Sequence, residues 1–296
     1  MILVSGANGN LARAVIDNLI ASLGDLSGLA VGSRDIGTDY VRQLASRGIS
    51  VRKLDFHEPG SVVKALAGID RVLFISTYEP NDVRIKQHRN AVDAAVQAGV
   101  SHVVYTSFIN AVPESAFEHN RQVHAPTERM ILDSGLHYTI LRHNLYTEFL
   151  VGDLAQTLKS GRLKRGGGRG RISFIGRDDL GVSAARILTE AGHRDRIYTE
   201  TGPEAITYEE AAVILSAVFG QPVRHEDLSP EQWFQHSLGM GFPESLARAS
   251  STNVRAALDG EFSTLSGDYA HITGHPARGV RQYLTDNRKK FLPTGA

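Results

Sequence analysis

Four glycines set the rhythm of the first half of this chain. Gly48, Gly68, Gly99 and Gly135 each stand between a stretch of helical periodicity and a short apolar run. Glycine adopts the left-handed conformation that closes a helix without a Cβ penalty, so each one marks a helix ending just before a strand. The apolar runs lie at 2–4, 29–32, 51–54, 71–75, 102–105 and 138–141, and helical patterns fill 41–46, 61–67, 83–98 and 123–133. Strand and helix in strict alternation predict an α/β protein built on a doubly wound parallel sheet with helices on both faces. Ligands of such sheets gather at the carboxyl ends of the strands.

The first strand runs into Gly6-Ala7-Asn8-Gly9-Asn10-Leu11-Ala12 and then into a helix with Leu11, Val15, Ile16, Leu19 and Ile20 at helical spacing. Gly6 permits the sharp exit from the strand. Gly9 has no side chain, so a diphosphate can approach the main chain. Ala12 is small enough to pack between helix and strand. Amides at the helix start point at the phosphates, and the helix dipole adds to their pull. The seat expected for a dinucleotide diphosphate is therefore Gly6, Asn8, Gly9, Asn10 and Leu11 in a Rossmann-type domain. The alternative is a plain strand–helix turn.

The end of the second strand discriminates between dinucleotides. A carboxylate there holds the ribose hydroxyls of NAD, whereas small polar and basic residues meet the 2′-phosphate of NADP. Here the order is Gly32-Ser33-Arg34-Asp35, and Asp35 falls later than that carboxylate does. Ser33 and Arg34 favour NADPH, since a guanidinium can grip phosphate through two nitrogens. Asp55 and Phe56 are expected to flank the adenine. Ser76, Thr77, Thr106 and Ser107, at the ends of the fourth and fifth strands, are expected to border the ribose and nicotinamide.

Composition narrows the class further. The 296 residues suffice for one large α/β domain and a smaller one, and 42% of them are hydrophobic. Lys and Arg number 32 and so do Asp and Glu, which gives no support for nucleic-acid or membrane-surface binding. With no Cys, disulfides, thiolate metal sites and a thiol nucleophile are excluded. No run of about 18 apolar residues is present, and with a strand beginning at residue 2 no signal peptide is expected. A cytoplasmic protein is expected, monomeric or homodimeric. His271 and His275 sit four apart, but Gly274 interrupts any helix and no carboxylate stands by, so no metal site is assigned.

The pattern changes after residue 145. Helices are predicted over 145–158, 178–191, 207–219, 230–238, 243–258 and 276–291, with a strand at 197–199. Thr207-Tyr208-Glu209-Glu210 has the form of a capping box. The arginine- and glycine-rich stretch 161–171 is expected to be a flexible connection near the site, with arginines able to meet an anionic group. Residues 1–150 are expected to form the NADP-binding domain, to which 172–202 return. Residues 151–171 and 203–296 form a smaller, mostly helical lobe that chooses the substrate, with Trp233 in its core.

One absence bears on the chemistry. Short-chain dehydrogenases that reduce carbonyls use Tyr-x-x-x-Lys, the Lys lowering the phenol pKa. No such pair exists here, and no Lys lies between Lys86 and Lys159. The helix that should carry it reads Gln122-Val123-His124-Ala125-Pro126-Thr127-Glu128-Arg129, with His124 near the Tyr place and Glu128 near the Lys place.

The stretches GANGNLA (6–12), QHRNAVDAAVQAGVSHVVYTS (87–107), HAPTERMILDSGLHYTILRHNLYTEFL (124–150) and ILTEAGHRDRIYTETG (187–202) carry a resemblance. The chain resembles the NmrA-like atypical short-chain dehydrogenases, in particular the NADPH:quinone oxidoreductase type 2 and triphenylmethane reductase group. The likeness extends to about residue 220, with LRHNLYTEF its most specific part. Asn8, Ala12 and the Arg-rich loop depart from the group's pattern. The resemblance implies NADPH-dependent hydride transfer to a quinone, dye or similar planar conjugated acceptor. Such acceptors take hydride readily, so positioning supplies much of the catalysis. His124, Asn144 and Tyr146 are the candidates around the acceptor: His124 as a proton source, Asn144 as a hydrogen-bond donor, Tyr146 as a stacking surface or acid. The competing reading is a non-catalytic NADP(H)-sensing regulator, since NmrA itself binds dinucleotide without turnover.

Overall fold

A computed structural model describes residues 1–292. Seven strands, β1 (Ile2–Ser5), β2 (Leu29–Ser33), β3 (Ser50–Lys53), β4 (Arg71–Phe74), β5 (His102–Phe108), β6 (His137–His143) and β8 (Arg196–Glu200), share one sheet in the order β3-β2-β1-β4-β5-β6-β8. The pairs β1–β2, β2–β3, β1–β4 and β4–β5 are parallel. Both faces of this sheet are covered, which is why β2 reads as an unbroken buried run instead of alternating. The predicted strands and the return at 197–199 are all present.

The chain divides into two compact units. The first comprises Met1–Phe108, Gln122–Arg142 and Asp178–Tyr198. Its helices are α1 (Asn10–Ser22), α2 (Asp39–Ser46), α3 (Pro59–Leu66), α4 (Asn81–Gln97), α5 (Ala125–Asp133) and most of α7 (Arg177–Thr189). Gly48, Gly68, Gly99 and Gly135 take φ of +83°, +71°, +68° and +78°, closing four helices as their positions predicted. A core of Leu3, Val72, Phe74, Val103, Tyr105 and Ile140 packs against the apolar faces of α3 and α4.

The second unit comprises Ile109–Arg121, His143–Arg177 and Thr199 onward. It holds α6 (Leu154–Ser160), α8 (Tyr208–Phe219), α9 (Pro230–Gly239), α10 (Glu244–Leu258), α11 (Asp268–Thr273), α12 (Val280–Asp286) and α13 (Arg288–Phe291). The capping box at Thr207 is formed in both directions: its hydroxyl accepts from the Glu210 amide, and the Glu210 carboxylate accepts from the Thr207 amide.

Three expectations for this unit need correction. The stretch 145–158 is not one helix: a 3-10 turn over Thr147–Leu150 precedes α6. The stretch 276–291 is likewise divided, into α12 and α13, at Asn287. Nor is 161–171 a flexible connection. It opens with strand β7 (Arg162–Arg165), which pairs in parallel with β9 (Arg224–Asp227), a strand absent from the sequence reading. Three of its four arginines are engaged locally. Arg165 is buried, 2.7 Å from Asp153 and over the Trp233 ring at 5.5 Å. Arg162 meets Glu226 at 3.0 Å and Arg171 meets Glu210 at 3.0 Å. The glycines follow from packing against α10: a Cβ on Gly166 would lie 2.5 Å from Val254, and one on Gly170 only 2.3 Å from the Ala257 carbonyl. Among the described residues, no helix is long and apolar enough to cross a membrane.

Candidate active site

In the first unit, β1 lies between β2 and β4, where the order of the sheet reverses. That reversal opens a crevice at the carboxyl ends of the two strands. Gly6 leaves β1 with φ +68°, a conformation that suits glycine. The Gly9 amide donates to the Gly6 carbonyl at 2.8 Å, and a Cβ on Gly9 would stand 3.2 Å from that same oxygen. α1 begins at Asn10 with no side-chain cap and no acidic residue in its first turn. The amides of this first turn are left without a side-chain cap, an arrangement suited to an anion. Ala12 is buried, as its packing role requires.

Asn8 clasps this turn to the end of β2. Its Nδ2 donates to Ser33 Oγ at 2.8 Å and to the Asp35 carbonyl at 3.0 Å, while its Oδ1 accepts from the Thr38 hydroxyl at 2.7 Å. Ser33 in turn donates to the Asp35 carbonyl at 2.8 Å. Ser33 is buried and shapes the loop, whereas the Arg34 side chain is 63% exposed with only a loose 3.6 Å approach to Glu79. Of the adenine-side pair, Phe56 turns inward, 5.1 Å from the Phe74 ring, and Asp55 stays at the rim with Oδ1 accepting from the His57 amide.

The ends of β4 and β5 are tied together. Thr106 Oγ1 accepts from the Ser76 amide at 2.9 Å, and Thr77 Oγ1 donates to Gln87 at 2.5 Å. Behind them runs a buried polar network that the sequence reading missed. Arg84 Nη2 donates to Ser76 Oγ at 2.8 Å and to His124 Nε2 at 3.2 Å. His124 Nδ1 lies 2.9 Å from the Tyr105 hydroxyl. A guanidinium only donates, so His124 Nε2 accepts and carries no proton, and the imidazole is neutral. His88 is also neutral: burial, then the charge of Arg84, pushes its pKa well below the ordinary value. The Tyr105 phenol is raised by burial.

Ser107 and Glu128 form a second cluster. Ser107 Oγ donates to Glu128 Oε1 at 2.5 Å, and Arg142 contacts both carboxylate oxygens, at 3.0 and 2.6 Å. The hydrogen bond with Glu128, followed by its charge, raises the Arg142 pKa against the opposing effect of burial.

Asn144 and Tyr146 belong to the second unit and His124 to the first. Asn144 is fully buried, and its Nδ2 donates to Ser173 Oγ at 2.6 Å and to the Phe262 carbonyl at 2.8 Å. Its Oδ1 accepts from the Leu145 amide at 2.7 Å. With both amide hydrogens engaged, this side chain anchors the strand exit. Tyr146 is half-buried, its ring stacked on Phe149 at 5.8 Å and covered by the Arg177 guanidinium at 4.4 Å.

The polar stripe of α4 had a readable signal. Arg84, Gln87 and His88 recur at helical spacing in line with buried Ala91 and Val92. Polar side chains on a buried face have to be satisfied, and here they meet the ends of β4 and β5.

A reversing parallel sheet with a glycine turn at its switch point defines a dinucleotide-binding α/β protein of the Rossmann type. The chain belongs to the NmrA-like family, whose model matches residues 1–266. Quinone oxidoreductase 2 of Escherichia coli (strain K12) is 31% identical over 96% of this chain and 98% of its own length. The crystal structure of NADPH-dependent quinone oxidoreductase QOR2 from Escherichia coli, complexed with NADPH, matches with TM-score 0.89 at 30% identity, covering 97% of this chain and 99% of that one. Triphenylmethane reductase of Citrobacter sp., complexed with NADP(H), matches with TM-score 0.88 at 34% identity, covering 99% and 100%.

Proposed function

We propose that this NAD(P)H-dependent oxidoreductase uses NADPH to reduce a quinone, a triphenylmethane-type dye or a similar planar conjugated acceptor. The observation that carries the acceptor class is the filled Tyr–Lys place. His124 accepts from Arg84 and stays neutral, and Glu128 is held by Arg142 and Ser107. Neither supplies the acid that an ordinary ketone needs. A quinone is already electron-poor and its reduced form is a stabilised oxyanion, so orientation does more of the work. The relatives' reductive activities support the same reading.

The residues fit the cofactor. The uncapped start of α1 and the bare backbone at Gly6 and Gly9 suit the diphosphate, with Asn8, Asn10 and Leu11 completing the turn. Arg34, exposed beside Ser33, would meet the 2′-phosphate. Ser76, Thr77, Thr106 and Ser107 would border the ribose and nicotinamide. When bound, NADPH supplies the hydride. Tyr146, with Phe149 and Arg177 against it, would face the acceptor.

A panel assay tests this. Purified protein is mixed with NADPH and a benzoquinone, a naphthoquinone and a triphenylmethane dye, and NADPH consumption is followed. Turnover on at least one acceptor is expected. Tight NADPH binding with no turnover on any of them would transfer the assignment to a dinucleotide sensor.

A further inference from the structure

Glu200 ends β8 and His143 ends β6, neighbouring strands whose ends are joined by the Asn144 amide donating to the Glu200 carbonyl at 3.1 Å. Both side chains are shut away from solvent, His143 at 1% exposure and Glu200 at 0%. His143 Nε2 lies 3.2 Å from Glu200 Oε2, off the line of a full hydrogen bond, and neither Glu200 oxygen has a hydrogen-bond partner among the described residues. The other ring nitrogen, Nδ1, lies 3.3 Å from the Tyr146 hydroxyl. Carboxylate, imidazole and phenol therefore stand in a row, and only the phenol is partly open.

A buried carboxylate served by one imidazole is strongly disfavoured unless that imidazole carries the facing proton. An ionised Glu200 therefore requires a proton on His143 Nε2 facing it. Nδ1 is left to exchange a proton with Tyr146: it accepts from the phenol when the ring is neutral and donates to it when the ring is charged. Charged groups around the row include Glu200 on β8 and Arg177, whose guanidinium lies over the Tyr146 ring and 3.7 Å from Glu148.

We propose that His143, backed by Glu200, is a positioning residue that makes Tyr146 the proton donor to a reduced quinone. The inference rests on the reductase reading. A neutral quinone that gains a hydride becomes an oxyanion, with NADPH as the species oxidised. The Tyr146 O–H bond breaks, and an O–H bond forms on the product. The His143 Nδ1–H proton moves to the Tyr146 oxygen, leaving a neutral imidazole with its remaining proton on Nε2 toward Glu200. One proton from solvent resets the row, so each turnover consumes one NADPH and one proton.

A cationic triphenylmethane dye gives the control. Hydride addition to its central carbon yields a neutral product, and no proton is required. In His143→Gln, the ratio of naphthoquinone turnover to crystal violet turnover is expected to fall roughly 100-fold, the lower end of what a positioned acid supplies. Glu200→Gln should move the ratio the same way. An unchanged ratio in both variants overturns the proposal.

Two measurements on unmutated protein hold if the variants fail to fold. Heavy water should slow naphthoquinone reduction and leave crystal violet reduction as it was; equal slowing of both, or of neither, sinks the relay. Nitrogen NMR should find His143 protonated at Nε2, and a bare Nε2 contradicts the role given to Glu200. Failure of unmutated protein to reduce either acceptor would count against the reductase reading itself, a result distinct from an unmoved ratio.

Discussion

Arg142 grips Glu128 by two nitrogens, Nε to one carboxylate oxygen and Nη2 to the other, with Ser107 completing the cluster. Glu128 is buried while Arg142 is about a quarter exposed. Where a short-chain dehydrogenase keeps a lysine free to act on a tyrosine, this chain closes an ion pair.

Removing one partner of that pair exposes its cost. Arg142→Met leaves a buried carboxylate with Ser107 alone, and stability should drop by about 2–4 kcal/mol, somewhat below a fully enclosed pair. Glu128→Gln keeps an acceptor for Ser107 and should cost about 1–2 kcal/mol. Urea unfolding measures both. Equal losses would mean that the charge itself is not what the site requires.

The proposed 2′-phosphate role of Arg34 can be tested by comparing the two dinucleotides. Its exposed guanidinium stands beside Ser33 at the end of β2. Arg34→Glu should weaken NADPH by at least about tenfold, or about 1.4 kcal/mol, with a much smaller effect on NADH. Calorimetric titration of both cofactors reads the difference. Parallel weakening would remove Arg34 from the 2′-phosphate site.

His102 predicts an acid-sensitive fold. Burial first, then the charges of Arg71, Arg194 and His137 against the opposing Asp195, lowers its pKa from 6.5 to about 4. Its Nε2 is 2.8 Å from Thr139 Oγ1, which donates to the His193 carbonyl, so His102 is a neutral donor. Between pH 6.5 and 4 the unfolded chain binds a proton that the folded chain refuses. Stability contributed here is present above about pH 6.5 and is lost as pH falls toward 4. Thermal melts of His102→Phe should show a shallower decline across that window than unmutated protein, whatever their starting stability.

The main sheet could be read in advance because four of its helices close at a glycine with positive φ and most of its strands carry an apolar run. The glycine turn was legible for a similar reason: Gly6 takes φ +68°, and a Cβ on Gly9 would crowd the Gly6 carbonyl at 3.2 Å. The second unit was not. β7 and β9 are short, charged strands whose pairing depends on contacts about 60 residues apart, such as Arg165 with the Leu228 amide. Asn144 and Tyr146 are two positions apart, yet one is an anchor and the other lies half open. That distinction comes from Ser173 and Phe262, which periodicity cannot place beside them. Arg84 and Glu200 escaped notice because a charged residue in an amphipathic segment ordinarily faces water.

The Asn8 clasp has a consequence for how a nucleotide is received. Three hydrogen bonds fasten the glycine turn to the Ser33–Thr38 segment. In the proposed cofactor site, the seats for the diphosphate and the 2′-phosphate would therefore be mechanically one part. Little ordering entropy is left to lose on docking, and damage to the clasp should loosen the grip on both ends of the nucleotide together.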